Sequence, residues 1–527
     1  MSAGLTIAHG RSLSRELRQR ADRQPDRTWL TFQPLDAPAT TVTYGQFAEL
    51  VDRCANVLVG LGIRPGVKIL IVLGNCPEFL LLWFGAARVG GVIVPANPQA
   101  SDAELEYLAS HSESMIVALG VGDEERGQRL RNACSALRHV LVCGAPAGAK
   151  DGFDGLMDDS SATAPRHEPQ SDDEVAILYT SGTTSRPKGC LITNANYIHV
   201  GEAVAQHIGV TDTDRHLIVL PYFHGNAQYY STMSALIAGA SIVVAERFSA
   251  SRFWSIASEH ETTLVSLFAA PMRMLLAQPD REIPAQNLRL AFFAQNITTA
   301  QLAEWDRRFH VPLLQIYGMT EQLGWPVANP MYGHRDNMTI GRPTLPFRCR
   351  VVDDDDRNVP DGVSGSLLVQ GVPGVSLMKG YFKDADVTAA TMRPIDGAVA
   401  AVPDRWLVTG DNVMRRSDGL IEFVDRSKDM IKRAGENVAA SEVEVVIRDH
   451  PAVFDVAVIG IPDPIRDEAI KAFVVLREGQ TITASDLIAW CAARLAKFRV
   501  PEFVEFRAEL PRTSVGKIQK HALREGA

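Results

Sequence analysis

The fold of this 527-residue chain follows from one stretch, KILIVLGNCPEFLLLWFGAARVGGVIVP (residues 68–95). The apolar run at 68–73 predicts a buried strand, and Pro77 is typical of the first turn of a helix, which we expect to continue to about Val89. Residues 91–95 predict a second strand. A strand, a crossover helix and a strand make a βαβ unit, so we expect a parallel sheet that is covered on both faces.

The rest of the chain repeats this pattern and then departs from it. Further strands are predicted at 115–119, 175–179, 217–220, 241–245 and 263–267, with a helix at 250–260. From about residue 340 the predicted strands are shorter and separated by turns, and beyond 425 helices (440–448 and 484–495) alternate with strands (453–459 and 472–476). We therefore predict an α/β fold with a large N-terminal domain of mostly parallel sheets at 1–425, a β-rich subdomain at about 340–425, and a small α+β C-terminal domain at 426–527.

Composition excludes several classes of protein. The net charge is −9 and no basic stripe is present, which argues against nucleic acid as a partner. Charged and helix-breaking residues interrupt the most hydrophobic region, 68–95, so it does not fit a membrane span of about 20 residues. The seven cysteines form no CxxC pair, which is typical of a reducing compartment and gives no zinc site. We expect a cytoplasmic protein without a secretory signal, and the sequence leaves open whether it forms a homodimer.

One segment, LYTSGTTSRPKGC (178–190), points to an anionic ligand. Five of the six residues at 180–185 carry hydroxyl groups, and Pro187, Lys188 and Gly189 follow. The Walker phosphate loop would need Gly-Lys-Ser/Thr at this place, so the segment is not that motif. Hydroxyl donors, backbone N–H groups freed by Gly182 and a lysine charge can nevertheless surround a polyphosphate. The alternative interpretation is a solvated turn between a strand and a helix.

Five further motifs, in order along the chain, accompany this segment. They are YGMTE (317–321), TGD (409–411), VDRSKDMIK (424–432), GENV (435–438) followed by Glu442 and Glu444, and PRTSVGK (511–517). Together with the hydroxyl-rich segment they resemble the adenylate-forming superfamily, which contains acyl-CoA ligases, peptide-synthetase adenylation domains and firefly luciferase. The resemblance covers nearly the whole chain and implies that a carboxylic acid is joined to AMP from ATP and is then passed to a thiol.

The resemblance implies a role for each matching residue. The β- and γ-phosphates of ATP would be held by Thr180, Ser181, Gly182, Thr183, Thr184 and Lys188. Tyr317 would stack on adenine next to Gly318, with Gln315 near the edge of the base, and Asp411 would accept both ribose hydroxyls with Arg426 close by. Thr320 would contact the α-phosphate and Glu321 would bind Mg²⁺, a cation that prefers carboxylate and phosphate oxygens.

The same resemblance makes the C-terminal domain mobile. Lys517 would bridge the carboxylate and the α-phosphate during adenylation, where its charge stabilises the transition state. The domain would then turn about a hinge near Lys428 and bring Gly435, with Lys432 before it, to the site, where they line a tunnel for the pantetheine arm of coenzyme A.

The nature of the acid is the open question. His224 lies in LPYFH (220–224), which resembles an element of acyl-CoA ligases, whereas peptide-synthetase domains usually carry Asp there to bind an amino group. Several stretches, among them SRPK (185–188) and MIKRAGEN (430–437), resemble the crotonobetaine/carnitine–CoA ligase branch. The predicted pocket residues are Tyr222, His224, Tyr229, Gln295 and Trp325. Their aromatic faces suit either a quaternary ammonium group or a bulky hydrophobic acid, and we expect the second.

Three departures from the superfamily pattern leave the exact activity open. Ser185 replaces the usual glycine of the phosphate loop, FFAQNI (292–297) replaces a glycine-rich segment, and Trp325 follows the YGMTE motif closely. An enzyme that performs only the thioester step on a preformed acyl-adenylate is therefore compatible with the sequence. So are an enzyme that loads the phosphopantetheine of a carrier protein and a protein that only senses nucleotide. Pyrophosphate exchange separates an enzyme for the thioester step alone from one with full activity.

Overall fold

The structure is a computed structural model, and it describes residues 8–145, 149, 152–180, 187–294, 297–394, 404–426, 429–433, 436–463, 467–512 and 518–525. Its strands, in chain order, are β1 (Thr28–Gln33), β2 (Thr40–Thr43), β3 (Lys68–Val72), β4 (Val92–Pro95), β5 (Ser114–Gly120), β6 (His139–Cys143), β7 (Glu174–Thr180), β8 (Lys188–Thr193), β9 (Arg215–Ile218), β10 (Ser241–Ala245), β11 (Leu264–Phe268), β12 (Leu290–Ala294), β13 (Leu313–Tyr317), β14 (Val327–Ala328), β15 (Arg342–Pro343), β16 (Arg348–Val352), β17 (Ser364–Gly371), β18 (Gly380–Tyr381), β19 (Met392–Pro394), β20 (Arg405–Arg415), β21 (Ile421–Arg426), β22 (Met430–Arg433), β23 (Glu436–Ala439), β24 (Val453–Asp463), β25 (Asp467–Leu476) and β26 (Phe503–Phe506).

The helices pack on both faces of the sheets or lie between them. In chain order the α-helices are α1 (Leu13–Arg23), α2 (Tyr44–Gly60), α3 (Pro77–Arg88), α4 (Asp102–Ser112), α5 (Glu124–Ala133), α6 (Phe153–Asp158), α7 (Asn194–Ile208), α8 (Met233–Ala238), α9 (Phe253–Glu259), α10 (Ala269–Leu276), α11 (Thr299–Phe309), α12 (Ala385–Thr391), α13 (Ala440–Arg448), α14 (Ala484–Ala492) and α15 (Lys520–Arg524). A π-helix (Ala227–Thr232) leads directly into α8, and a short 3-10 helix spans Lys497–Arg499.

The stretch at 68–95 folds as its pattern predicts. Strand β3 runs in parallel with β4, and α3 begins with Pro77 and connects them. Every residue of β4 is buried, as expected for a parallel strand that is covered on both faces. Helix α3 approaches α2 closely at Gly85, where an added Cβ would lie 2.7 Å from the Sγ atom of Cys54. This close packing fixes the βαβ unit on which the first sheet is built.

Two large sheets form most of the molecule. The first has seven strands in the order β18-β8-β7-β4-β3-β5-β6, and the second has nine in the order β15-β14-β13-β12-β11-β9-β10-β1-β2. Their central strands pair in parallel, whereas β7 and β8 form an antiparallel pair. The prediction of an α/β fold with mostly parallel sheets is therefore confirmed. The hydroxyl-rich segment connects two strands, and not a strand and a helix as its alternative interpretation supposed.

The later part of the chain forms two smaller sheets. Strands β16, β17, β19, β20 and β21 make an antiparallel sheet with its own apolar cluster. The two-residue strand β18 comes from the same part of the chain but joins the seven-stranded sheet by pairing with β8. Beyond it, β22 to β26 and helices α13 and α14 form an α+β unit around a separate core. This confirms the α+β character that the sequence predicts for the C-terminal region.

Candidate active site

The nucleotide end of the candidate site, defined as Tyr317, Glu321, Tyr381, Asp411 and Arg426, lies where β13 ends. In parallel sheets the carboxyl ends of strands commonly form the ligand crevice. Tyr317 is the last residue of β13, and the next four residues lead to Glu321. Asp411 and Arg426 arrive from β20 and β21, where they face each other in the antiparallel register. Four segments of the chain thus supply the polar groups: the end of β13 with the residues after it, β18, β20 and β21.

The side chains of Tyr317 and Asp411 are bonded to each other. The Tyr317 hydroxyl donates to Oδ2 of Asp411 at 2.6 Å, and Nε of Arg426 lies 3.3 Å from the other carboxylate oxygen. Burial, with the adjacent Asp411 carboxylate, raises the pKa of Tyr317 well above its usual value, so the hydroxyl stays protonated and remains a donor. The predicted adenine-stacking residue and the predicted ribose ligand therefore form one unit.

Two neighbouring residues shape the main chain beside this unit. Gln315 is buried in β13, and its backbone N–H donates to Oδ1 of Asn337 at 2.9 Å. Gly318 has no space for a side chain, because an added Cβ would lie 2.6 Å from the carbonyl oxygen of Gly324 and 2.7 Å from the hydroxyl of Tyr230. Only glycine permits this close turn after β13. Thr320, next to Glu321, is half-buried.

Glu321 is connected to the hydroxyl-rich segment through Tyr381. The hydroxyl of Tyr381 donates to Oε1 of Glu321 at 2.9 Å, and both side chains are buried. On the other side, Nζ of Lys188 lies 5.1 Å from the centroid of the Tyr381 ring. Burial and then Glu321 raise the pKa of Tyr381, which keeps its hydroxyl a donor. The predicted metal-binding carboxylate and the predicted phosphate-binding lysine thus both contact Tyr381, one at its hydroxyl and the other at its ring.

The base of the hydroxyl-rich segment is held by helix α4. Thr180 and Lys188 face each other as the last paired residues of β7 and β8. The Tyr179 hydroxyl lies 2.7 Å from Nδ1 of His111, and the Tyr107 hydroxyl donates to the carbonyl oxygen of Pro187 at 3.0 Å. Both chain ends that enter the segment are therefore fixed to one helix. The predicted phosphate ligands Ser181, Gly182, Thr183 and Thr184 lie outside the described residues.

The acyl end of the candidate site, defined as Tyr222, Tyr229, Tyr230, Phe292 and Trp325, is built from aromatic packing. The Trp325 ring centroid lies 5.1 Å from that of Tyr230 and 5.0 Å from that of Phe292. Tyr229 and Tyr230 belong to the π-helix, a form that is frequent at functional sites. A narrow gap that is too small to hold a water molecule lies beside Trp325, lined by Ala203, Val204, His207 and Thr344.

The position of His224 is set by the βαβ unit. The side chain of Asn75, which follows β3, donates to the carbonyl of Leu220 at 3.1 Å and accepts from the backbone N–H of Tyr222 at 2.9 Å. The Tyr222 ring is fully buried and stacks on Phe79. His224 itself is half-buried, with its ring centroid 4.7 Å from that of Phe223. Of the predicted pocket residues, Gln295 lies outside the described residues.

Most of the predicted C-terminal site residues also lie outside the described residues. These are Lys428, Gly435 and Lys517, together with the side chain of Lys432. The neighbouring described residues contact β21, because the backbone N–H of Ser441 donates to Oδ2 of Asp425 at 3.1 Å. Burial alone would lower the pKa of Lys520, but Glu444, Asp425 and Asp429 outweigh it and raise the pKa. Lys520 therefore remains charged at the junction of the two regions.

Sequence motifs did not indicate two contributors to the site. They are Tyr381 and the pair formed by Tyr107 and His111, which belong to none of the six motifs. The signal for Tyr107 and His111 is their spacing of one helical turn in α4, which places both rings on one face. Tyr381 stands on a strand of two residues, and so short a strand has no periodicity to detect.

Comparison with known proteins places this geometry in a family. The family model described as AMP-binding enzyme matches residues 17–382, and the model of its C-terminal domain matches residues 442–517. The crotonobetaine/carnitine–CoA ligase of Salmonella enteritidis is 35% identical over 526 residues, which is 99% of this chain and 100% of that protein. Among the described residues, no helix is both long and apolar enough to cross a membrane.

Solved structures agree with this assignment. The ATP-bound MatB of Rhodopseudomonas palustris is 25% identical, with a TM-score of 0.86 over 97% of this chain and 98% of that one. A benzoate–CoA ligase of Burkholderia xenovorans is also 25% identical, with a TM-score of 0.83 over 98% of this chain and 100% of that one. Both family models and a full-length relative therefore agree that this chain belongs to the family of AMP-binding enzymes, as an AMP-forming ligase of the acyl-CoA synthetase type.

Proposed function

We propose that the enzyme activates a bulky, hydrophobic carboxylic acid with ATP and transfers the acyl group to coenzyme A. The observation that carries the proposal is the convergence of two polar units at one strand end, the bonded pair Tyr317–Asp411 and the connected side chains Glu321, Tyr381 and Lys188. The first unit suits a nucleoside and the second suits its phosphates. A carboxylate needs such an arrangement because oxide is too poor a leaving group for direct attack by a thiol.

In the proposed first step a carboxylate oxygen of the acid attacks the α-phosphorus of ATP, and pyrophosphate leaves. Tyr317 stacks on adenine beside Gly318 and Gln315, and Asp411 accepts the ribose hydroxyls next to Arg426. Thr180 and Lys188, with Ser181, Gly182, Thr183 and Thr184, hold the β- and γ-phosphates. Thr320 contacts the α-phosphate, and Lys517 neutralises charge that develops between the carboxylate and the phosphate.

The residues present fit a bound Mg²⁺ ion. Oε1 of Glu321 is engaged by Tyr381, which fixes the direction of the carboxylate, and Thr320 stands beside it. One carboxylate with phosphate oxygens is the usual ligand set of Mg²⁺ in nucleotide sites. When bound, the ion supplies positive charge that stabilises the phosphate oxygens. Glu321 is therefore the residue that we propose to hold it.

In the proposed second step the thiolate of coenzyme A attacks the acyl carbon, and AMP leaves. The domain boundary near 425/426 would act as a hinge at Lys428, and the C-terminal domain would exchange Lys517 for Gly435 and Lys432 at the site. The separate apolar core of the C-terminal region supports this proposal, because that unit can move without disrupting the core of the large domain. We further propose that the enzyme works in the cytoplasm, in keeping with seven free cysteines.

The aromatic character of the acyl end supports a hydrophobic acid. Tyr229, Tyr230, Phe292 and Trp325 pack closely around one another, which suits an apolar or aromatic group. A betaine-type acid is the second candidate, because a relative at 35% identity is named as a crotonobetaine/carnitine–CoA ligase and aromatic faces also attract quaternary ammonium groups. A panel of acids that contains both types, incubated with ATP, Mg²⁺ and coenzyme A and read by mass spectrometry, decides between them.

Pyrophosphate exchange tests the proposed chemistry directly. We expect acid-dependent exchange of labelled pyrophosphate into ATP in the absence of coenzyme A. Absence of exchange, together with coenzyme A-dependent consumption of synthetic acyl-adenylate, would contradict the first step and establish an enzyme for thioester formation alone. Replacing coenzyme A by a carrier protein that bears phosphopantetheine identifies the thiol acceptor.

The two-step assignment also predicts a selective effect of Lys517→Ala. Adenylation should fall about 10²- to 10³-fold, the scale expected for loss of one preorganised charge in a transition state. Thioester formation from supplied acyl-adenylate should stay close to the wild-type rate, because Lys517 has left the site by then. Lys497→Ala, an exposed lysine of the same region, is the matched control and should change neither step. Equal damage to both steps by Lys517→Ala would contradict the assigned role.

A further inference from the structure

Tyr381 occupies an unusual place between two parts of the candidate site. It belongs to the two-residue strand β18, where it pairs with Cys190 of β8. Strand β8 begins with Lys188, directly after the hydroxyl-rich segment. Tyr381 is buried, and its backbone N–H donates to Oγ1 of Thr388 at 2.8 Å. Its backbone is therefore held in place by β8 and by α12.

Tyr381 and Met378, three residues before it, hold Glu321 by two separate contacts. The Tyr381 hydroxyl donates to Oε1 of the Glu321 side chain at 2.9 Å, and the backbone N–H of Met378 donates to the main-chain carbonyl of Glu321 at the same distance. A buried carboxylate needs hydrogen-bond partners, since burial without them is costly. With one oxygen engaged by Tyr381, the orientation of the second oxygen is also fixed.

The face of the same ring lies under Lys188. The ammonium group is 5.1 Å from the ring centroid, within the range of a cation–π interaction. This contact holds the lysine at the start of β8, where no carboxylate among the described residues forms an ion pair with it. The hydroxyl and the ring face of Tyr381 thus act on two different residues.

We infer that Tyr381 is a positioning residue that sets the direction of the Glu321 carboxylate toward the metal ion and of the Lys188 ammonium toward the triphosphate. It contacts neither reactant in this assignment and acts through these two side chains. The inference rests on the proposed function, because it takes Glu321 as the metal ligand and Lys188 as a phosphate ligand. It adds a distinction between the two parts of the side chain: the hydroxyl governs metal binding, and the ring governs nucleotide binding.

The hydroxyl is tested by Tyr381→Phe, which keeps the ring. We expect the Mg²⁺ concentration for half-maximal pyrophosphate exchange to rise about 10-fold, the lower scale of losing a hydrogen bond to a charged group, while the KM for ATP at saturating Mg²⁺ stays unchanged. The direct readout is Mn²⁺ binding to the enzyme with a non-hydrolysable ATP analogue, followed by electron paramagnetic resonance. Its Kd should rise by the same factor.

The ring is tested by Tyr381→Leu. This variant should show the same shift in Mn²⁺ affinity and a further loss of about 3-fold in affinity for the ATP analogue without metal, because the cation–π contact is worth about 0.5–1 kcal/mol at partly exposed sites. Tyr332→Phe, at a tyrosine that is 88% exposed, is the matched control and should change neither quantity. Thermal unfolding shows that each variant is folded.

Two results would overturn the inference. One is a Tyr381→Phe enzyme with wild-type affinity for Mn²⁺, and the other is a fall in kcat without any change in metal dependence. The binding measurements need no turnover, so they give an answer even when pyrophosphate exchange is absent. Failure of the proposed function and failure of this inference are therefore distinguished: the first removes exchange from the wild type, and the second leaves metal binding insensitive to the hydroxyl.

Discussion

The nucleotide end and the acyl end of the candidate site are held together by different forces. At the nucleotide end, polar side chains bind one another directly, as in the bond of 2.6 Å between Tyr317 and Asp411 and that of 2.9 Å between Tyr381 and Glu321. At the acyl end, the contacts of Trp325 are ring against ring, with Tyr230 and Phe292. Polar contacts fix atoms in direction, whereas aromatic packing fixes shape and volume.

This difference explains why sequence motifs indicate the residues proposed for the reaction but not those that would select the acid. Directed contacts require particular residue types, so Asp411 and Glu321 are readable as motifs. A pocket wall requires only a suitable volume, which many combinations of residues supply. Changes at the nucleotide end should therefore lower turnover with every acid, and changes at the acyl end should alter the choice of acid.

The largest effect is expected from Asp411→Ala. The variant loses the proposed acceptor of two ribose hydroxyls, and each hydrogen bond to a charged group is worth about 1.5–3 kcal/mol. We expect kcat/KM for ATP to fall about 10²- to 10³-fold, by the same factor for every acid of the panel. Steady-state kinetics with two acids of different size measures it.

Tyr317→Phe is the matched control for this prediction. It removes the hydroxyl that donates to Asp411 but keeps the ring that we propose to stack on adenine. We expect a loss of about 3- to 10-fold, because only the support of the carboxylate is removed. An Asp411→Ala enzyme whose loss depends on the acid, or is no larger than that of Tyr317→Phe, would break the separation between the two ends.

A smaller effect is expected from Trp325→Leu, and it should concern the choice of acid and not the use of ATP. The shorter side chain leaves space beside Tyr230 and Phe292, against which the indole ring packs. We expect the ratio of kcat/KM for larger over smaller acids to rise about 10-fold, the scale on which hydrophobic pockets discriminate, while the KM for ATP stays within about 2-fold. Trp406→Leu, in β20, is the control and should leave the ratio unchanged. A loss of ATP affinity without a change in acid preference would place Trp325 at the nucleotide end.

A further effect concerns stability and the burial of His199. Burial lowers the pKa of His199 to about 4, from an ordinary value of 6.5. The unfolded chain takes up a proton below pH 6.5 and the folded chain does not, so His199 lowers stability as the pH falls from 6.5 toward 4. At pH 5 this amounts to about 2 kcal/mol. We expect His199→Leu to reduce the difference in unfolding free energy between pH 7 and pH 5 by about this amount, measured in urea.

His310→Asn, a substitution at an exposed histidine, is the matched control. An unchanged pH dependence in His199→Leu would mean that this histidine is accessible to protons in the folded state. In that case the region around it is wetter than the packing of its ring against Phe347 indicates.

The fold was predictable where a pattern is local. The βαβ unit at 68–95 and the helix Ala440–Arg448 agree with the prediction to within about one residue, because apolar periodicity and Pro77 mark their ends. The strand predicted at 217–220 is found at Arg215–Ile218, since its position is fixed by pairing with Ser241–Ala245 and not by its own apolar run. Strand β24 continues to Asp463 for the same reason: its partner β25 extends it.

The site was predictable only where motifs carry it. Asp411 and Arg426 were predicted as neighbours, and the structure places them opposite each other. Tyr381 and the contacts of Tyr107 and His111 with the ends of the hydroxyl-rich segment were not predicted, because they depend on strands and helices that meet only in the folded chain. Local sequence patterns do not encode such contacts between distant segments.

The central claim is that the acid becomes an acyl–AMP anhydride before it meets the thiol. The most direct test uses a substrate acid labelled with ¹⁸O in its carboxyl group. Because the carboxylate oxygen attacks phosphorus in the first step and leaves with AMP in the second, mass spectrometry should find one ¹⁸O atom in the phosphate of the AMP produced. AMP free of the label, formed together with the acyl-CoA product, would contradict the account.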